Sequence, residues 1–207
     1  MSQQRWHTGA LVEEFFRELD GLWPERSLPK IELKIMGSSA LMLQCGYERG
    51  TKDSDVFETR ELTSAIRMQL LALAGPSTEL HRRRRMYLDI VSNGIPFLPG
   101  KPLWHPVLAL ADLAHLDVQV LDVVDVVVTK LKRFNVNDVS DIDAMCERHL
   151  VPHEVLVERF RSALEVFRYD ARAHELPGYV GNLHRVESQL LHVDETNLQS
   201  DLDSLKY

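Results

Sequence analysis

Gly37-Ser38-Ser39, and beyond a short helix-sized segment Asp53-Ser54-Asp55-Val56-Phe57, are the residues of this chain best suited to chemistry. In an extended strand, residues i and i+2 share a face. Asp53 and Asp55 therefore present two carboxylates side by side, while Ser54 and Val56 turn the other way. Two such charges repel unless a cation lies between them, and Mg²⁺ favours oxygen donors of this kind together with substrate phosphates. Asp89, an acid inside Tyr87-Leu88-Asp89-Ile90-Val91, is the candidate third carboxylate of a two-metal arrangement. Its apolar neighbours predict a largely buried strand. Gly37 lets the backbone approach a phosphate closely. The start of the following helix offers free N–H groups and a positive dipole end, to which Ser38 adds a hydroxyl. The chemistry indicated is metal-assisted reaction at a phosphate. The Asp-x-Asp spacing recurs at Asp141/Asp143 and Asp201/Asp203, so the pair at Asp53/Asp55 matters only because of what surrounds it.

Those residues need a strand, a turn and a helix in order, and the pattern supplies them. Ile31 to Met36 alternates apolar and charged residues, which predicts a half-buried strand. Gly37 breaks it, Ser38 or Ser39 can cap the helix that carries Ala40 to Leu43, and Gly46 ends that helix. A polar connector, Tyr47 to Lys52, leads into the strand Asp53–Phe57. Earlier, residues 8–19 have the apolar spacing of an amphipathic helix, closed by Asp20-Gly21. Later come a helix from Leu62 to Ala74, a strand from Met86 to Val91, an irregular Pro/Gly-rich stretch at 94–106, and a short strand at Leu116–Val120. From Asp122, a potential cap, helical periodicity dominates: 122–134, a helix opened by Asp138, 155–169 and 179–191. The expected fold class is α+β, a mixed sheet flanked by helices with a C-terminal helical subdomain. The expected organisation is an α/β domain over 1–121, the helical subdomain over 122–192, and a polar, poorly ordered tail over 193–207.

With 207 residues, 44% hydrophobic and 27% charged, the composition is that of an ordinary globular protein. No run approaches the length of a membrane span, and Met1 to His7 lacks an apolar signal core, which predicts a cytoplasmic protein. Cys45 and Cys146 have no metal-ligand spacing and read as reduced thiols. The net charge of -7 argues against non-specific nucleic-acid binding by the whole surface. His81-Arg82-Arg83-Arg84-Arg85 stands out against it. A charge run is ordinarily a solvated loop or strand end, and its nearness to Asp89 is what suggests an acceptor-binding role.

Met36-Gly37-Ser38-Ser39-Ala40-Leu41, Lys52-Asp53-Ser54-Asp55-Val56-Phe57 and Asp89, taken in order, resemble the DNA polymerase β-type nucleotidyltransferase superfamily. More narrowly they are similar to the toxin-like nucleotidyltransferases of abortive-infection systems (AbiEii type). That group also carries a helical lysine followed by Asp-x-x-Asp, matched here by Lys130 and by Asp138-Val139-Ser140-Asp141. The resemblance covers roughly residues 31–145. It implies that Asp53, Asp55 and Asp89 bind metal, that Gly37 and Ser38 cradle the nucleotide phosphates, that Lys130 binds the triphosphate, and that Asp141 lies near the active site. It further implies Mg²⁺ as cofactor, an NTP as substrate, an RNA, tRNA or protein acceptor, and a cognate antitoxin; guidance of an RNA acceptor by Arg82–Arg85 is suggested by the position of that run alone.

The residues leave other accounts open. Asp138 and Asp141 also fit as acids at a helix N-terminus, and Lys130 with Arg133 as a solvent-facing basic edge. Ser54 takes the place of a usually apolar residue; it is expected to face the core, where its hydroxyl needs a partner. A catalytically degenerate binding module and a metal-dependent nuclease are the rival functions.

Overall fold

The alternation in Ile31–Met36 has the physical consequence expected of it: Ile31, Leu33 and Ile35 are buried while Glu32 and Lys34 are half-exposed. The computed structural model describes residues 8–24 and 30–203. These divide into two compact units, one within residues 1–95 and 104–121, the other within 96–103 and 122–207.

In the first unit the elements run α1 (Gly9–Leu22), β1 (Ile31–Met36), α2 (Gly37–Cys45), β2 (Asp53–Phe57), α3 (Ser64–Ala74), α4 (Glu79–Arg84), β3 (Tyr87–Val91), β4 (Trp104–Pro106) and β5 (Leu116–Leu121). The strands form one mixed sheet in the order β3-β2-β1-β5-β4. β1 lies parallel to β5 and antiparallel to β2, and β2 lies parallel to β3. The fold class is α+β. α2 packs on β1, β2 and β5, and α1 packs on α2. Phe15, Phe16, Leu33, Ile35, Leu41, Val56 and Leu88 are fully buried in this unit. Removing water from a side chain of that size contributes about 1.5–3 kcal/mol each.

Several elements depart from the sequence reading, each for an identifiable reason. α1 continues through Asp20-Gly21 to Leu22, because the buried Asp20 carboxylate accepts the amides of Ala114, His115 and Leu116 at 2.9, 2.8 and 2.9 Å. The helix must extend that far to tie down the start of β5. Neither Ser38 nor Ser39 caps α2; the cap position is Met36, in extended backbone, without a side-chain hydrogen bond. The basic run is a helix, α4, and not a loop or strand end. Thr78 caps it by accepting from His81 N at 3.2 Å, and its arginines sit in the last turn, where the dipole favours them. β3 is an edge strand with Asp89 exposed, not a largely buried one. The irregular 94–106 stretch ends in β4, and its Pro106 is tolerated because that strand too is at an edge.

The second unit contains α5 (Val123–Arg133), α6 (Val136–Glu147), α7 (His153–Phe167), α8 (Leu176–Arg185), a π-helical turn (Val186–Leu191) and α9 (Gln199–Asp203). Asp122 caps α5 by accepting from Val124 N at 2.9 Å. α6 starts earlier than Asp138: Asn135 is its cap, and Asp138 closes a capping box from the third helical position. Phe97, Phe160, Phe167 and Tyr179 pack as a ring cluster. The buried Asp125 carboxylate receives Arg159 at 2.6 Å. Within the region read as a loose tail, Leu198 is buried and Thr196 donates its backbone amide to Glu187 at 3.1 Å; residues 204–207 lie outside the described ones, as do residues 1–7, where a signal core was sought. Among the described residues no helix is long and apolar enough to cross a membrane.

Candidate active site

β2 holds Asp53 and Asp55 on one face, both half-exposed, with Ser54 and Val56 fully buried on the other. β3 runs parallel beside it with Asp89 in register with Asp55 and Tyr87 in register with Asp53. On the other side, β1 delivers Met36 opposite Asp55, so the turn into α2 arrives at that carboxylate. Gly37 is required there twice over. Its φ of +67° is a left-handed conformation that a side chain disfavours, and a Cβ at this position would lie 2.5 Å from Asp55 Oδ2. The Asp55 carboxylate thus occupies the space that the missing side chain leaves, at the N-terminus of α2.

The surrounding groups hold these acids in place. Thr51 Oγ1 donates to Asp53 Oδ1 at 3.1 Å. Ser39 Oγ donates to the Asp53 carbonyl at 3.2 Å, tying α2 to β2. The Ser38 hydroxyl accepts from Arg49 Nη1 at 3.0 Å, which places a guanidinium at the start of α2. Burial, and after it the charges of Asp53, Asp89 and Asp55, push the Tyr87 phenol above its usual range. Ser54 faces the core, as its place on the strand predicts, but its buried Oγ lacks the hydrogen-bond partner that such a position calls for.

These donors fit a hard divalent cation in type: two carboxylates on one strand face beside an open helix N-terminus. Among the described residues, however, no three His, Cys, Asp or Glu side chains converge into a ready metal-ligand group. The arrangement matches a cation held by two carboxylates and completed by substrate oxygens, which is the usual habit of Mg²⁺.

The other expected site residues lie in the second unit. Lys130 is only 6% exposed; its Nζ is 3.2 Å from Asp138 Oδ1 and 2.7 Å from the fully buried Asp141 Oδ2. Arg133 adds a second cation to Asp138 at 2.9 Å. Asp138, although buried, is held below the usual carboxylate range: desolvation pushes it up, and Arg133 and Lys130 together outweigh that. In the basic run, Arg82 pairs with Glu79 at 2.5 Å, Arg83 pairs with Glu18, and Arg84 pairs with Glu14 and Glu18 at 2.5 and 2.6 Å. A cavity of about 440 Å³ in the second unit, lined by Phe134, Val136, Val139, Arg185, Gln189 and Leu190, brings no carboxylate and no metal-binding chemistry. Neither Cys45 nor Cys146 is in a disulfide, and burial pushes Cys146 up to about 11.

Arg49 and Thr51 were missed in the sequence because they read as part of a polar connector; only their positions relative to Ser38 and Asp53 distinguish them. A family model described as "Nucleotidyltransferase of unknown function (DUF6036)" matches residues 13–176. No curated protein and no solved structure gives a significant match. The family match spans most of the chain and includes Gly37, Asp53, Asp55, Asp89, Lys130 and Asp141, so the protein belongs to this nucleotidyltransferase family.

Proposed function

We propose that the protein transfers a nucleoside monophosphate from an NTP to an acceptor hydroxyl with release of pyrophosphate, using Mg²⁺ as cofactor. The observation that carries this reading is the approach of Asp55 Oδ2 to the Gly37 position at the start of α2, which joins a carboxylate pair to an anion-accepting backbone. Asp53 and Asp55 would hold the cation, which supplies charge neutralisation at the reacting phosphate. The α2 amides and Ser38 would receive the phosphates, with Arg49 adding positive charge beside them. The acceptor oxygen forms its bond to the α-phosphorus as the bond to the β-phosphate oxygen breaks in line. The departing acceptor proton passes to Asp89, whose exposed carboxylate lies in register with Asp55. Nucleotidyl transfer depends on positioning and charge more than on covalent catalysis, and such a site needs little else.

Lys130, Asp138 and Asp141 enter this reading as the ion-paired link between α5 and α6. An ammonium already flanked by two buried carboxylates has little net charge left for a triphosphate, which is why Arg49 takes that role here. The resemblance to abortive-infection toxins extends the proposal to an RNA or tRNA acceptor and a cognate antitoxin. Arg82, Arg83 and Arg84 support an RNA acceptor less than their charge suggests, since each has a carboxylate partner. The test is transfer of label from each NTP to RNA and to protein, by wild type and by Asp55→Asn. Label on an acceptor that disappears in the variant supports the reading, and equal labelling by both removes it.

A further inference from the structure

The sheet of the first unit has two unlike faces. Ile31, Leu33, Ile35, Val56, Leu116 and Val118 are buried on the face that α2 covers. The opposite face carries the acids of the transfer reading together with Glu32, Lys34, Asp117 and Gln119, and the buried Met36 and Leu121 at the end nearest Asp55. Glu32 receives Lys34 at 2.9 Å and the Gln119 amide at 3.2 Å. On this face stand two half-exposed aromatic rings, Phe57 and Trp104, stacked with centroids 5.9 Å apart and planes 29° from parallel. Lys34 Nζ lies 5.6 Å from the indole centroid.

This pair differs from the other aromatic contacts. Phe15–Phe16 in the same unit is fully buried and edge-to-face, a packing contact. Among the described ring pairs, Phe57–Trp104 is the one that stacks. A stacked pair at a half-exposed position presents a flat π-face that a further flat ring can continue, whereas an edge-to-face pair does not. Placement follows from register. Phe57 is two residues beyond Asp55 on the same strand face, a separation of about 7 Å, on the order of that between a nucleotide's phosphate and its base. Trp104 pairs with Leu121, one step beyond the Ile35–Val120 pair, so it extends the cross-strand row that holds Met36, Asp55 and Asp89.

We propose that Phe57 and Trp104, with Lys34 poised over the indole, form a platform on which a nucleobase stacks beside the catalytic acids. This rests on the transfer reading above. The base belongs either to the donor NTP or to the 3′ end of an acceptor RNA; the stacking chemistry is the same. It gives a use to two large rings that stand half-exposed beside Glu32, Lys34 and Gln119, and to the three-residue edge strand, Trp104–Pro106, that carries one of them.

The experiment measures calorimetric binding of Mg-NTP, inorganic tripolyphosphate and a short single-stranded RNA to wild type, Trp104→Leu and Trp104→Tyr. Quenching of indole emission is followed in a Trp6→Phe/Trp23→Phe background. The platform predicts NTP or RNA binding about tenfold weaker or worse in Trp104→Leu, rescue by the ring-retaining Trp104→Tyr, and quenching that Trp104→Phe removes. Tripolyphosphate binding stays unchanged, which also shows that the variant is folded. Weakening confined to NTP assigns the donor base, and weakening confined to RNA assigns the acceptor. Undiminished binding of both by Trp104→Leu overturns the platform and leaves the transfer reading intact. Absence of NTP and tripolyphosphate binding in wild type overturns the transfer reading instead. The platform then falls too, unless RNA binding still depends on Trp104.

Discussion

Two clusters of aspartates in this chain have the same residue types and nearly the same spacing, yet their environments differ. On β2 and β3, Asp53 and Asp55 are half-exposed and Asp89 is exposed, beside a helix N-terminus that no side chain caps. On α6, Asp138 and Asp141 are 1% and 0% exposed, and Lys130 and Arg133 reach them. An acid that is accessible and next to anion-accepting backbone can take a cation and a phosphate. An acid buried with its counter-cation has already satisfied its charge and serves the fold. Spacing alone does not separate the two; solvation and partner do.

The sharpest way to break this division is to remove one acid from each side. Asp55→Asn is expected to reduce nucleotide transfer about a thousandfold or more while shifting stability by no more than about 1 kcal/mol, as read by labelled transfer and thermal melting. Lys130→Met is expected to lower stability by about 3–5 kcal/mol, because it takes the ammonium away from the fully buried Asp141 and leaves Asp138 with Arg133 only; denaturant unfolding measures it. A normal unfolding curve combined with lost tripolyphosphate binding would move Lys130 to the catalytic side. The same pair predicts a pH dependence. Since Asp138 is held below its ordinary value of 3.8, its contribution to stability is full above that value and is lost as the pH falls through its lower folded value. Acid unfolding of Asp138→Asn should therefore lack the part of the wild-type slope that lies below about pH 4.

Gly37→Ala tests the open cluster more gently. The new methyl group must displace the Asp55 carboxylate, so transfer should fall about a hundredfold. The left-handed backbone at this position costs about 1–3 kcal/mol once a side chain is present. If the rate were unchanged, the closeness of Asp55 to α2 would have no catalytic meaning. The smallest effect is expected opposite the acids, at Ser54, whose buried hydroxyl has no partner. Ser54→Ala should raise stability by about 1 kcal/mol with transfer unaltered, a result that melting and rate measurements check together.

Periodicity was enough to place β1, β2 and β5, and the core face of the first two, because burial on one side of a strand writes itself into alternate residues. It failed where a side chain far away in sequence decides the local backbone. α1 runs past Asp20-Gly21 because Asp20 serves amides near residue 115, and α4 is a helix partly because Arg83 and Arg84 find Glu14 and Glu18 on α1. The short β4 was invisible for the opposite reason: three residues ending in proline carry too little pattern to distinguish a strand from a loop.

By itself the sequence determined the α+β class, the Gly37 turn, and the strand that puts Asp53 and Asp55 on one face, since all three follow from local geometry. Only the tertiary structure decided that Asp89 lines up with Asp55, that Arg49 reaches Ser38, that Lys130 is enclosed by Asp138 and Asp141, and that Phe57 meets Trp104. Each of those depends on strand order and on which charges lose their water. A linear pattern of residue types carries neither.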